Sequence, residues 1–352
     1  MAERPGTRKM IPRMLLAVVL LAGRAHSGFS ADGWQAEPEP VLIAGQLTEW
    51  DDFQVGSPCV VSVDKGWRMY FEGARLDEDG LSQGIGVAMS DDGRTWRKHE
   101  NNPVLVVENP EELRFPTKRV SLPVVCRLPD ASWLMTCTET DQNQGTSRLR
   151  VLRSADGLDW QSAPDSEADL VKAASGSRLF SPSFCANPHR SGRVQLWCLK
   201  QPDGGNFYDV TKLGIVMLQT VDGKTWKQLS ERPFTEIEPK GSLWDIRFAV
   251  DGESWVVGYL FAEGDSSKPA HIRFRKSADT IRWKPAGTPD YALPASPDGE
   301  AAPDGTQAVA FSTPGLLLGE GGVRIFYTEQ QENGSRRIAS AFFPKARPRP
   351  AP

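Results

Sequence analysis

Metal- and cofactor-binding residues are scarce in this chain: 352 residues hold four histidines, five cysteines and no CxxC pair. That supply argues against a zinc site. No phosphate loop, dinucleotide fingerprint or nucleophile elbow occurs either, so no cofactor is expected. Long apolar runs are missing. The longest, Met14 to Gly23, is about ten residues against the roughly 20 that a spanning helix needs, so no membrane span is expected. Arg4, Arg8, Lys9 and Arg13 precede that run and Ala25-His26-Ser27 follow it, which reads as a signal peptide over residues 1–27, cleaved near Gly28, for a secreted or periplasmic protein. Positive charge is not in excess. Removing the five basic groups and one acidic group of residues 1–27 takes the net charge from −4 to −8, a poor match for nucleic acid.

What the chain has is a repeat. Ser90-Asp91-Asp92-Gly93-Arg94-Thr95-Trp96 recurs as Ser154 to Trp160, Thr220 to Trp226 and Ser277 to Trp283, with the tryptophans 64, 66 and 57 residues apart. Each Asp-box-like copy follows three strand-like stretches. In the first unit these are Val55–Val63, Trp67–Glu72 and Gly84–Met89, and a short strand at Trp96–His99 completes a four-stranded meander. Three further units keep that order, and a fifth, read from Phe311 to Phe342, lacks the turn motif. Four-stranded units at this spacing predict an all-β, five-bladed β-propeller of four-stranded antiparallel blades. The expected layout is a lead-in over 28–49, the propeller over 50–343 and a disordered tail over 344–352, with no long amphipathic helix. The fifth unit is expected to borrow its outer strand from the lead-in and so close the ring. Cys126/Cys137 and Cys185/Cys198 are spaced either to staple their hairpins or to fill buried strand positions, with Cys59 left single.

Prolines at Pro58, Pro123, Pro182 and Pro314 set the register of the first strands, and Asp245 takes the corresponding place in unit four. Gly56-Ser57-Pro58, Trp67 to Gly73, Gly84 to Trp96 and Asn102 to Leu105 together resemble the first blade of the five-bladed propeller glycoside hydrolases, the arabinanase, levansucrase and invertase type of families 43, 32 and 68. The resemblance covers residues 50–342. It implies a secreted carbohydrate-active protein, a glycosidase working on an oligo- or polysaccharide with carboxylate acid and base residues in the funnel. The residues before the family's first-strand prolines are carboxylates, whereas Ser57, Leu122 and Ser181 stand there in this chain. The family's catalytic set therefore does not carry over.

Strand geometry supplies other candidates. Second strands end at the funnel face with Glu72, Glu139 and Glu329, and loops entering first strands bring Asp51, Asp52, Arg119, Arg178 and Asp304. Asp52, Glu139 and Asp245 are expected to be catalytic, from three blades on one face. Trp50, Asp51, Glu72, Arg119, Arg178, Trp244, Arg247 and Glu329 are expected to bind substrate, the tryptophans by stacking on sugar rings. Asp245 stands out because a carboxylate on an apolar innermost strand needs a partner or a purpose, and Arg247 shares its face by two-residue alternation. The bland alternative for each is a salt-bridged or solvated blade residue. Two other functions compete: a non-catalytic carbohydrate- or protein-binding propeller, and a sialidase-like hydrolase, which would need six blades and a converging trio of Arg119, Arg178 and Arg247.

Overall fold

Runs of alternating or continuous apolar residues, punctuated by Asp-Gly and Pro-Asp turns, pair into hairpins. The computed structural model describes residues 33–77, 80–107, 117–202, 209–264, 271–293, 314–319, 321–331 and 334–345. Five antiparallel sheets result. Blade 1 runs outward from the axis as Gln54–Ser62, Trp67–Asp77, Gly80–Ser90 and Arg97–Lys98. Blade 2 follows as Lys118–Arg127, Trp133–Asp141, Thr146–Ser154 and Gln161–Ser162. Blade 3 is Ser177–Ala186, Val194–Pro202, Gly214–Thr220 and Lys227–Pro233. Blade 4 is Ser242–Asp251, Ser254–Ala262, His271–Ser277 and Lys284–Pro285.

Blade 5 comprises Gly315–Gly319, Gly322–Gln330 and Arg336–Pro344, and its outer strand is Gln35–Ala36 from the start of the described chain. Gln35 pairs with Phe342 and Ala36 with Ala341, and Leu42 bridges to Ile338. The ring is thus closed by the lead-in, as the missing fifth turn motif suggested. Trp34 anchors the closure: it is fully buried and packs on Phe274, Tyr291 and Phe343. Residues 1–32 and 346–352, Asp304 and the start of the expected fifth inner strand (311–313) lie outside the described residues.

The core is a series of layers between neighbouring blades. One cluster joins blades 1, 2 and 3, a second joins blades 3 and 4, a third blades 4 and 5, and a fourth blades 5 and 1. The repeated turn clasps those layers together. In the first copy, Asp92 Oδ1 accepts from the amides of Arg94 (2.8 Å) and Thr95 (2.7 Å), while Ser90 Oγ accepts from that of Gly93 (2.8 Å). Asp156, Asp222 and Asp279 repeat the arrangement. The preceding blade then grips the turn: Tyr70 hydroxyl donates to Gly157 O (2.8 Å), and Arg153 to Asp222 O. The motif is therefore structural, a side-chain-capped turn with a glycine at positive φ, and Gly93, Gly157 and Gly223 all have that φ.

One expectation is corrected and one open alternative is decided. An 11-residue helix, Pro164–Ala174, links blades 2 and 3, where no helix was read. Its signals are local: Pro164 in the first turn, Asp165 and Glu167 beside it, and a left-handed Ser175 as its end. The helix is held by its neighbours, since Ser166 donates to Gly223 O and Asp169 accepts from the Trp226 amide. All five cysteines are free thiols. Register forbids the hairpin disulfides, because Cys126 lies opposite Leu134 and Cys185 opposite Gln195. Cys137 and Cys198 stand three residues farther along, across from the strand irregularities.

Candidate active site

Those irregularities mark the axis. The inner strands of blades 1, 2 and 3 each break register, between Gly56 and Cys59, Ser121 and Val124, and Phe180 and Ser183. Ser57, Leu122 and Ser181, each just before a proline, are left-handed at φ 51°, 53° and 46°. A non-glycine residue held there stores strain of order 1 kcal/mol or more, and a bulge re-aims the side chains around it. Side chains compensate. Ser57 N donates to Thr328 Oγ1 (2.9 Å) and Ser57 Oγ to Glu72 Oε2 (3.2 Å). The Leu122 amide also bonds the Glu72 carboxyl.

Blade 4 shows the same irregularity one residue earlier, between Leu243 and Asp245. The equivalence is fixed by matching bonds between blades. Val125 N donates to Cys59 Sγ (3.2 Å), and Phe248 N donates to Ser183 Oγ (2.7 Å). Val125 and Phe248 are therefore equivalent, so Arg247 matches Val124, Cys59 and Ser183. Two residues back, Asp245 matches Ser57, Leu122 and Ser181. This shifts the expected alignment by one: Ile246, not Asp245, takes the place of the prolines. An aspartate in blade 4 thus stands at the strand position that Ser57, Leu122 and Ser181 hold in blades 1, 2 and 3.

Asp245 is buried and lies 3.5 Å from Arg247 Nη1, and its Oδ1 accepts from the Ile246 amide (2.8 Å). Arg247 Nη1 also donates to Pro182 O (2.9 Å). Beyond it the inner strands enclose an axial cavity of about 400 Å³ lined by Cys59, Val125, Cys185, Phe248 and Leu316 among others. Glu72 is a carboxyl at the blade 1 bulge, where it accepts from Ser57. It is 7% exposed, and burial raises its pKa, with Arg336 and the Ser57 bond pulling the other way.

The remaining candidates have partners elsewhere. Glu139 is bound by Arg148 and Arg150; burial works against its charge, but those bonds outweigh it and lower its pKa. Asp52 accepts from the Thr48 amide (2.8 Å) and so ties up its own entry loop. Asp51 is fully buried and pairs with Lys98 at 2.6 Å; burial raises its pKa in spite of the lysine. Glu329 pairs with Arg337 at 2.7 Å. Trp50 packs on Phe71 above Gly73 and Gly86, where a Cβ would come within 2.3 and 2.7 Å of its ring. Trp244 is buried in the layer between blades 4 and 5. Arg119 and Arg178 stand at the starts of their inner strands, opposite Thr140 and Gln201. The structure therefore places Glu72 with Ser57 at the bulge of blade 1 and Asp245 with Arg247 at that of blade 4, and ties Asp52 and Glu139 into local pairs. Sequence reasoning placed Glu72 among binding residues; its signal was a charged side chain inside an otherwise buried strand.

The five-blade count removes the sialidase-like reading, which needs six. A family model described as the glycosyl hydrolases family 32 N-terminal domain matches residues 29–176. Similar folds occur in a glycosyl hydrolase from Bacteroides ovatus (TM-score 0.55, 12% identity, 88% of this chain and 92% of that one). The catalytic domain of the Coprinopsis cinerea GH62 α-L-arabinofuranosidase is also similar (TM-score 0.53, 11% identity, 88% and 96% covered). The chain thus shares the five-bladed β-propeller fold of these glycoside hydrolases. A third similar fold comes from work on the GH130 family of mannoside phosphorylases, containing hydrolases that target β-1,2-mannosidic linkages in Candida mannan (TM-score 0.56, 13% identity, 88% and 93% covered). No curated protein sequence matches the chain.

Proposed function

We propose that the protein is a glycoside hydrolase that takes a glycan at the axial bulges, with Glu72 as general acid and Asp245 as the opposing carboxylate. Hydrolysis needs one carboxyl kept protonated to donate to the leaving oxygen and a second to take the proton of the attacking water or to attack the anomeric carbon. The observation that carries the reading is Asp245 at the bulge position beside Arg247. Burial, which raises the Glu72 pKa, favours the protonated form that an acid requires. Asp52 and Glu139 leave the catalytic set, because both are engaged outside the bulges. Export belongs to the same proposal, and N-terminal sequencing of the mature protein should begin near Gly28; an intact Met1 terminus would sink it.

A second reading, a glycan-binding propeller without hydrolysis, is favoured by Ser57, Leu122 and Ser181 at three of the four bulges. A panel of aryl β-mannosides, α-L-arabinofuranosides and fructosides, with matching oligosaccharides, separates the two. Hydrolysis by the wild type that falls by about 10²-fold or more in both Asp245→Asn and Glu72→Gln supports the acid–base assignment. Glycan binding without turnover supports the second reading, and turnover that survives both substitutions overturns the first.

A further inference from the structure

A cavity of about 570 Å³ lies between blades 3 and 4, lined by none of the bulge residues. Its walls come from the loop after the second strand of blade 3 (Asp209, Thr211), the link into blade 4 (Glu238 to Gly241) and the end of that blade's second strand (Phe261, Glu263). Inner strands begin and second strands end at one face of an antiparallel blade, so this cavity opens on the same face as the entries to the axial bulges.

Its floor is Glu238, 6% exposed. Tyr259 hydroxyl (2.7 Å), Arg275 Nη2 (2.9 Å) and Arg273 Nη1 (3.2 Å) all donate to Oε2. Three donors thus converge on one oxygen of a carboxyl that lines the cavity. The carboxyl is also rigidly held. Arg273 bonds Asp290 through Nε (2.8 Å) and lies 4.2 Å over the ring of Phe261. A carboxylate held in place this way presents a fixed acceptor group in the cavity wall.

The chemistry of the walls selects the donor. Asp209, Glu238 and Glu263 supply acceptors, and Lys240 adds a cation. Arg273 is already engaged by Glu238, Glu263 and Asp290. An anionic ligand would meet more carboxylates than free cations, and no three groups among the described residues converge to hold a metal. Neutral hydroxyl groups fit. We propose that this cavity is a second sugar-binding site, holding a neutral unit of the glycan that reaches the axial site. The inference rests on the glycan reading above and adds a place where chain length is sensed.

The test uses two variants of the full chain. Thr211→Trp fills the mouth from an exposed position, and Glu238→Gln weakens the acceptor. A thermal melt of Thr211→Trp matching the wild type establishes that it folds. On oligosaccharides of three or more units, KM should rise about tenfold in both variants. On aryl monoglycosides, kcat and KM should stay within about twofold. Equal changes on long and short substrates, or none on either, overturn the proposal. If the wild type cleaves nothing, the same glycans are titrated calorimetrically. Binding weakened about tenfold by Thr211→Trp keeps the cavity site while hydrolysis falls; binding untouched by Thr211→Trp removes the cavity site, and no binding by the wild type removes both.

Discussion

Replacing Trp34 by alanine should open the ring. Trp34 is fully buried, packs on Phe274, Tyr291 and Phe343 with centroids 5.3 to 5.8 Å away, and donates through Nε1 to Pro289 O at 3.1 Å. An indole side chain buries about 200 Å², and at roughly 25 cal/mol per Å² that is about 5 kcal/mol of transfer free energy. Measured losses for such truncations cluster at about 3–5 kcal/mol, and the lost hydrogen bond contributes about 1 kcal/mol more. The expected destabilisation is therefore about 4–6 kcal/mol, a large share of the roughly 5–15 kcal/mol that holds a domain. Urea unfolding followed by far-UV circular dichroism measures it. Ile43→Ala, at a side chain 55% exposed in the same lead-in, is the control and should change stability by less than about 0.5 kcal/mol. A loss below about 1.5 kcal/mol for Trp34→Ala would refute closure through this segment, since a strand resting on the ring without sealing it would not lose a core residue.

Glu72 should make stability depend on pH. Its folded pKa is raised above the ordinary 4.5, so its contribution is fully present below that value and is lost as pH rises through the folded pKa. Glu72→Gln removes the dependence, so its stability relative to the wild type should improve with pH by about 1.4 kcal/mol for each unit of the shift; a pH-independent difference would contradict the raised pKa. Thiol titration tests the cysteines. Burial pushes Cys137, Cys185 and Cys198 up to about 12, so these should resist a thiol reagent in the native protein. All five should react on unfolding without reductant, whereas a single reactive thiol would reinstate two disulfides.

The carboxylates show where local reading stops. Glu139 and Asp52 were selected because they end a second strand and enter a first one. Those positions specify a face of the blade and say nothing about what comes from the neighbouring strand. Arg150 reaches Glu139 from the third strand of the same blade, and the Thr48 amide meets Asp52 within the entry loop. Glu238 escaped notice because its partners, Tyr259, Arg273 and Arg275, come from two strands of the next blade.

The sequence by itself determined the blade. Strand alternation, Asp-Gly turns and their spacing are local, and each follows from backbone and side-chain preferences within a few residues. It also determined the count of blades and pointed to the lead-in as the closing strand, because a repeat missing its last turn needs a strand from elsewhere. Tertiary structure alone decided which carboxyl groups stand at the axis. A register break of one residue moves a side chain to the other face of its strand, and only the bonds between inner strands reveal that Asp245 matches Ser57, Leu122 and Ser181. Burial, which raises the Glu72 pKa, likewise arises from blades that meet only when the ring is closed.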